Sequence, residues 1–189
     1  YDDSHSLSAF GERGVGYVRS QLQELDERTM IVASLHKAFG TSGGALMLGR
    51  RSTAEINMIF RYAGAIGYSQ PMNTAAVGAS LASAEIHRSP ELTTLQEKLS
   101  SNIELFDSLV PTQQAGTTFP IRFVNVSEAD VVRLSVELFR SGYYVSPIFF
   151  PVVAKGKAGL RVMMRAGQTS DQIRDLAGII KEITVDAAA

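Results

Sequence analysis

The chain has 189 residues, 18 Lys and Arg against 19 Asp and Glu, and a formal charge of -1, so it is long enough for one ordinary domain or a small domain with part of another, and offers no electrostatic reason to expect nucleic acid or an anionic membrane as partner. It contains no cysteine, which excludes a disulfide framework and thiolate metal sites and fits a reducing compartment, so the cytoplasm is expected. No run approaches the roughly 18 to 20 uninterrupted apolar residues of a membrane span, and the first residues lack the basic-then-apolar order of a signal peptide.

Tyr1-Asp2-Asp3-Ser4-His5 carries no initiator Met and reads as the end of a strand whose earlier residues lie upstream. From Thr29 to Leu35 a short, apolar, partly β-branched run predicts a buried strand. His36 to Gly44 is small and glycine-rich, a loop before a second strand at Ala45 to Leu48, so Lys37 sits just past a strand end. Ser52 to Tyr62 and Asn73 to His87 are predicted helices, the second rich in Ala and Ser, with Gly64 and Gly67 interrupting between them. Pro90 opens a longer helix in which Leu92, Leu95, Leu99, Ile103 and Phe106 recur at three and four, a core stripe.

Beyond Gly116 the order becomes strand, helix, strand, strand, helix, a small α+β unit whose clearest strands are Ile121 to Asn125 and Leu160 to Met164. Its first helix is expected to start from a capping box at Ser127-Glu128-Ala129-Asp130 and to stop at Gly142. Its last starts similarly at Thr169 to Gln172 and buries Ile173, Leu176, Ile180 and Ile183, with Ala187-Ala188-Ala189 as a frayed end.

Lys37 is the only strongly basic residue between Thr29 and Gly49, among apolar and small neighbours. Desolvation disfavours an ammonium, which would free a neutral amine for Schiff-base chemistry. A surface lysine on a glycine loop is the alternative that composition leaves open. Gly40-Thr41-Ser42-Gly43-Gly44 is not followed by Gly-Lys-[Ser/Thr], and Gly14-Val15-Gly16 lacks the third glycine of a dinucleotide fingerprint. His5, His36 and His87 are scattered, so no metal is expected.

The motifs, taken in order, resemble the α-oxoamine synthase family of pyridoxal-phosphate enzymes. Asp2-Asp3-Ser4-His5-Ser6 matches the family's Asp-[Asp/Glu]-x-His-Ser, and Gly11, Gly14 and Gly16 its Gly-x-x-Gly-x-Gly. Ser34-Leu35-His36-Lys37-Ala38-Phe39-Gly40 with Gly43-Gly44 resembles the lysine segment, Thr-[Leu/Phe]-[Ser/Gly]-Lys-[Ala/Ser/Gly]-[Phe/Leu]-Gly followed by Gly-Gly. Tyr68-Ser69-Gln70-Pro71-Met72 resembles the Phe-Ser-[Thr/Gly]-x-[Leu/Met] turn, and Leu160-Arg161-Val162 the Leu-Arg-[Ile/Val] strand.

The resemblance implies an α/β fold of the aminotransferase type (fold type I), with 1-90 as the end of the large cofactor domain and 91-189 as the small α+β C-terminal domain. It implies pyridoxal 5'-phosphate as cofactor, an amino acid and an acyl-coenzyme A as substrates, condensation usually with loss of carbon dioxide, and a homodimer. Lys37 would hold the cofactor, Asp2 would keep its ring nitrogen protonated, and His5 would orient the ring. Ser34 would bind its phosphate, Ser69 would reach the phosphate of a neighbouring subunit, and Arg161 would fork onto the substrate carboxylate. His36, Gln70, Arg165 and Gln168 depart from the family's usual residues, and His36 is given no role. An aminotransferase that uses no coenzyme A and a non-catalytic subunit of the same fold are the alternatives. The family's N-terminal half is absent from these residues, so the chain alone is expected to be inactive.

Overall fold

The computed structural model describes residues 1–186; Ala187 to Ala189, the expected frayed end, lie outside the described residues. The chain divides into two compact units, Tyr1–Thr94 and Leu95 onward, and each is taken in its own frame.

In the first unit, β1 (Met30–Ser34) and β2 (Gly44–Leu48) form an antiparallel pair from Met30↔Leu48 to Ser34↔Gly44. The chain start lies parallel to β1: the Val32 amide donates to the Tyr1 carbonyl at 2.9 Å, and the Asp3 amide to the Val32 carbonyl at 2.8 Å. The expected buried strand is buried on one face only. Side chains alternate along a strand, and Ile31 and Ala33 are buried whereas Met30 and Val32 are exposed.

Two short elements were not anticipated, a 3-10 turn at Glu12–Gly14 and α1 (Tyr17–Gln21). Neither is long enough to show a period. They are bounded by Gly11, Gly14 and Gly16, whose φ values of 76, 66 and 90° suit glycine. Next comes α2 (Thr53–Tyr62), started by a reciprocal capping box between Ser52 and Glu55. The expected interruption is itself one helical turn, α3 (Gly64–Gly67). Asn73 caps α4 (Thr74–His87) by accepting the Ala76 amide at 2.8 Å. From there α5 (Pro90–Leu109) runs across the boundary between the units.

The second unit packs α5, α6 (Val131–Arg140) and α7 (Ser170–Asp186) with an antiparallel sheet ordered β3 (Ile121–Asn125), β5 (Gly159–Met163), β4 (Ser146–Ile148). Its core joins Ile103 and Phe106 of α5, Leu134 and Leu138 of α6, Leu160 and Val162 of β5, and Ile173, Leu176 and Ile180 of α7. The stripe on α5 is therefore partly core: Ile103 and Phe106 are buried, but Leu95 is 39% exposed. Arg122, which the sequence did not single out, is fully buried. Its Nε and Nη2 donate to the two Asp107 carboxylate oxygens at 2.6 and 2.8 Å, and Nη2 also to the Thr117 carbonyl at 2.8 Å, so the charge is paired and its donors are used. Among the described residues no helix is long and apolar enough to cross a membrane.

Candidate active site

Lys37 lies in the loop 35–43 that leaves β1 and returns as β2. The loop is closed at its base by the Leu35 amide donating to the Gly43 carbonyl at 3.0 Å and the Thr41 amide donating to the Leu35 carbonyl at 2.9 Å. Inside it the Gly40 amide donates to the Lys37 carbonyl at 2.9 Å, and Nε2 of His36 accepts the Gly43 amide at 3.2 Å. His36 thus braces the loop. From α4, the Ser83 hydroxyl donates to the Phe39 carbonyl at 2.6 Å, and the Ala76 carbonyl accepts the Thr41 hydroxyl at 2.8 Å. His87, at the end of α4, packs its ring 5.0 Å from Phe39 and hydrogen-bonds through Nε2 with the Ser8 hydroxyl at 2.8 Å. The loop backbone is fixed by these bonds while the Lys37 side chain is exposed. Its neighbours His36 and Ala38 are exposed too, so the local desolvation expected from composition is not what the fold provides around this amine.

Beside the strand end runs Tyr1 to His5. Extended backbone points successive side chains to opposite sides, and Asp2 is exposed while Asp3 is buried. Oδ1 of Asp2 accepts the Ser4 amide at 2.9 Å, and the Ser4 hydroxyl oxygen accepts the Ser34 amide at 2.9 Å. Hydrogen bonds from the Ser4 hydroxyl and amide, with lesser help from the charges of Lys37 and His5, hold the Asp2 carboxyl below the usual carboxylate range. The fold accordingly gathers Asp2, His5, Ser34 and Lys37 around the end of β1.

Asp3 anchors this turn from below. Its carboxylate accepts the Ser6 hydroxyl and, at 3.0 Å, the Val18 amide, while the Ser6 oxygen accepts the Tyr17 amide at 2.9 Å. A Cβ on Gly16 would lie 2.3 Å from Oδ2 of Asp3, so the third glycine of the motif is required for this close approach. Sequence reasoning passed over both Asp3 and Ser4. The period-2 alternation of an extended segment was the available signal for Asp3; none marked Ser4, whose partner Ser34 is distant in sequence.

The Ser34 hydroxyl oxygen accepts the His36 amide at 3.3 Å, and a hydroxyl in that role keeps its proton for a further acceptor. Ser69 follows α3, and its hydroxyl and amide both donate to the Ile66 carbonyl, at 2.9 and 3.3 Å.

Arg161 belongs to the second unit, at the centre of β5 between Phe123 of β3 and Ser146 of β4. Its neighbours Leu160 and Val162 point into the core, which sends Arg161 to the opposite face, where it is half-buried. Its Nε is buried and meets no acceptor among the described residues, a costly state for a charged donor. A carboxylate would satisfy that donor. Arg165 and Gln168 serve the turn before α7: Oε1 of Gln168 accepts the Arg165 amide at 2.8 Å, and Asn102 Nδ2 donates to the carbonyls of Arg165 and Gln168 at 2.8 and 3.1 Å.

No family model matches the chain. The 8-amino-7-oxononanoate synthase of Alkalilimnicola ehrlichii is 32% identical over an alignment 189 positions long that covers 96% of this chain and 46% of that protein. The chain therefore spans just under half the length of the curated relatives it matches. The crystal structure of 8-amino-7-oxononanoate synthase from Francisella tularensis matches with a TM-score of 0.79 at 24% identity, over 98% of this chain and 54% of that one. A serine palmitoyltransferase solved with a PLP internal aldimine matches with a TM-score of 0.84 at 19% identity, over 99% of this chain and 47% of that one. At these identities the structural likeness carries the fold: the chain is folded as these enzymes are across the part it shares with them.

Proposed function

We propose that this relative of the 8-amino-7-oxononanoate synthases is the C-terminal half of a pyridoxal-phosphate enzyme that condenses an amino acid with an acyl-coenzyme A. The observation that carries the reading is the meeting, at one strand end, of an amine and a carboxylate held in its ionised form: Lys37, with Asp2 fixed by Ser4. Residues 1-90 are assigned to the large cofactor domain and 91-189 to the small one, in a cytoplasmic homodimer.

The residues present fit the cofactor. When bound, pyridoxal phosphate supplies a protonated pyridine ring that draws electrons from the substrate's α-carbon. Lys37 offers the primary amine on which it is held, and its Nζ moves the proton at that α-carbon. Asp2, kept charged, favours protonation of the ring nitrogen. His5 lies on the same turn and would orient the ring, Ser34 would donate its hydroxyl to the phosphate, and Ser69 would reach the partner subunit's phosphate by turning its hydroxyl from the Ile66 carbonyl. Arg161, whose Nε has no acceptor within the described residues, takes the substrate carboxylate in a forked pair, a geometry that lysine could not supply.

In the complete protein, adding pyridoxal phosphate is expected to produce a visible absorbance band that Lys37→Ala abolishes. An amino acid and an acyl-coenzyme A together are expected to release free thiol. Transfer of the amino group to a 2-oxo acid without thiol release would replace the condensation reading, and an unchanged band in Lys37→Ala would end the lysine assignment.

A further inference from the structure

We infer that Ser4 is a positioning residue that ties the Asp2 carboxylate to the strand end leading to Lys37, and that it acts on the cofactor only through Asp2 and Ser34. The inference rests on the cofactor reading above and deepens it.

The geometry is that of a two-sided brace. On one side the Ser4 amide donates to Oδ1 of Asp2 at 2.9 Å; on the other the Ser4 hydroxyl oxygen accepts the Ser34 amide at 2.9 Å, across 30 positions of sequence. A hydroxyl that accepts one bond can still donate one, and the Ser4 hydroxyl and amide together hold the Asp2 carboxyl below the usual carboxylate range. The Ser4 oxygen therefore lies between the residue proposed to face the ring nitrogen and the residue proposed to hold the phosphate, and so sets the span between them. Beneath it, the buried Asp3 and Ser6 bind the amides of Val18 and Tyr17 and so tie the turn to α1, while the Asp3 amide, donating to the Val32 carbonyl at 2.8 Å, ties it to β1. The other charged groups that bear on Asp2 are Lys37, from the loop after β1, and His5, from its own turn. The Tyr1 nitrogen donates to the Met30 carbonyl at 2.9 Å.

The sign of the pH effect follows. Because Ser4 lowers the pH at which Asp2 takes up a proton, deleting its hydroxyl moves that event upward, toward the ordinary carboxylate value. Below that pH the ring nitrogen loses its anionic partner.

The test is a spectroscopic titration of the complete protein with pyridoxal phosphate, comparing the unmutated form with Ser4→Ala and Ser4→Thr. In Ser4→Ala the acid-side loss of the visible band is expected at higher pH, with cofactor affinity weaker by about tenfold. Ser4→Thr, which keeps the hydroxyl, is expected to restore both. The melting temperature of the cofactor-free protein should be nearly the same in all three. An acid limb and an affinity unchanged in Ser4→Ala, with a normal band in the unmutated protein, overturn this inference and leave the cofactor reading standing. No band in the unmutated protein fails that reading, and this inference with it. Should Ser4→Ala melt early, Ser4→Cys, which keeps the side-chain shape but replaces the hydroxyl by a weak donor and acceptor, must shift the acid limb in the same direction or the inference is wrong.

Discussion

Asp2 and Asp3 are chemically identical neighbours with opposite duties, and the pleat of the backbone alone separates them. Asp3 is turned inward against Gly16, which sits at a φ of 90° with no room for a Cβ. Gly16→Ala therefore combines a backbone cost of about 1–3 kcal/mol, for a conformation that essentially only glycine adopts, with displacement of the Asp3 carboxylate from the Val18 amide, and a lower urea midpoint at unchanged slope is the expected result. A loss smaller than the backbone cost alone would mean that the turn yields easily. Asp107 presents the other kind of residue-scale dependence. It neutralises Arg122, which has no exposed surface, and Asp107→Ala leaves that guanidinium buried without its counter-charge. Breaking such a pair costs about 3–5 kcal/mol, so equilibrium denaturation should place Asp107→Ala among the most damaging single changes in the second unit.

Among elements, the helix starts show what a sequence does and does not reveal. At α7 the Gln172 amide donates to the Thr169 hydroxyl at 3.2 Å and Oε1 of Gln172 accepts the Thr169 amide at 3.0 Å, the reciprocal box that the spacing predicts. Thr169→Ala is expected to cost about 1 kcal/mol, seen as a lower melting temperature of the chain; no change would mean that water replaces the cap. At Ser127 half of the box forms: the Asp130 amide donates to the Ser127 hydroxyl oxygen at 3.1 Å. Asp130 is a methylene shorter than Glu, and its carboxylate takes the Ser127 hydroxyl at 2.5 Å and the Arg133 guanidinium at 3.0 Å, while α6 begins at Val131. The long helices were legible by different signals, α4 by its Ala-rich composition and α5 by its repeated apolar stripe. The five-residue α1 was not, since its start is secured by Asp3 and Ser6 from another segment and leaves no local trace. The candidate site divides likewise: Lys37 and Asp2 are proposed from motifs, whereas the bond from the Ser34 amide to Ser4 depends on the chain start lying against β1, which no local pattern shows.

At the scale of the whole chain, the two units differ in how much apolar surface secures them. The second has a contiguous core drawn from three helices and a sheet. In the first, the buried apolar residues named by the fold are Ile31, Ala33, Ala76 and Leu92, while Met58, Phe60, Tyr62, Tyr68 and Leu81 are exposed. A two-stranded pair is marginal in water unless a further layer covers it, and β1–β2 is such a pair, extended only by the bridge at Asp2. Local opening should then cost much less free energy in β1 and β2 than in β3, β5 and α7. Hydrogen exchange on the 189-residue chain is expected to reach the β1 and β2 amides well before those of β5 and α7. In a protein of the relatives' full length, about twice this one, protection of β1 is expected to rise toward that of β5, since the exposed face at Met30 and Val32 is apolar and gains by being covered. Equal exchange of β1 and β5 in the short chain would contradict this account, because Ile31 and Ala33 would then suffice to hold the strand that leads to Lys37.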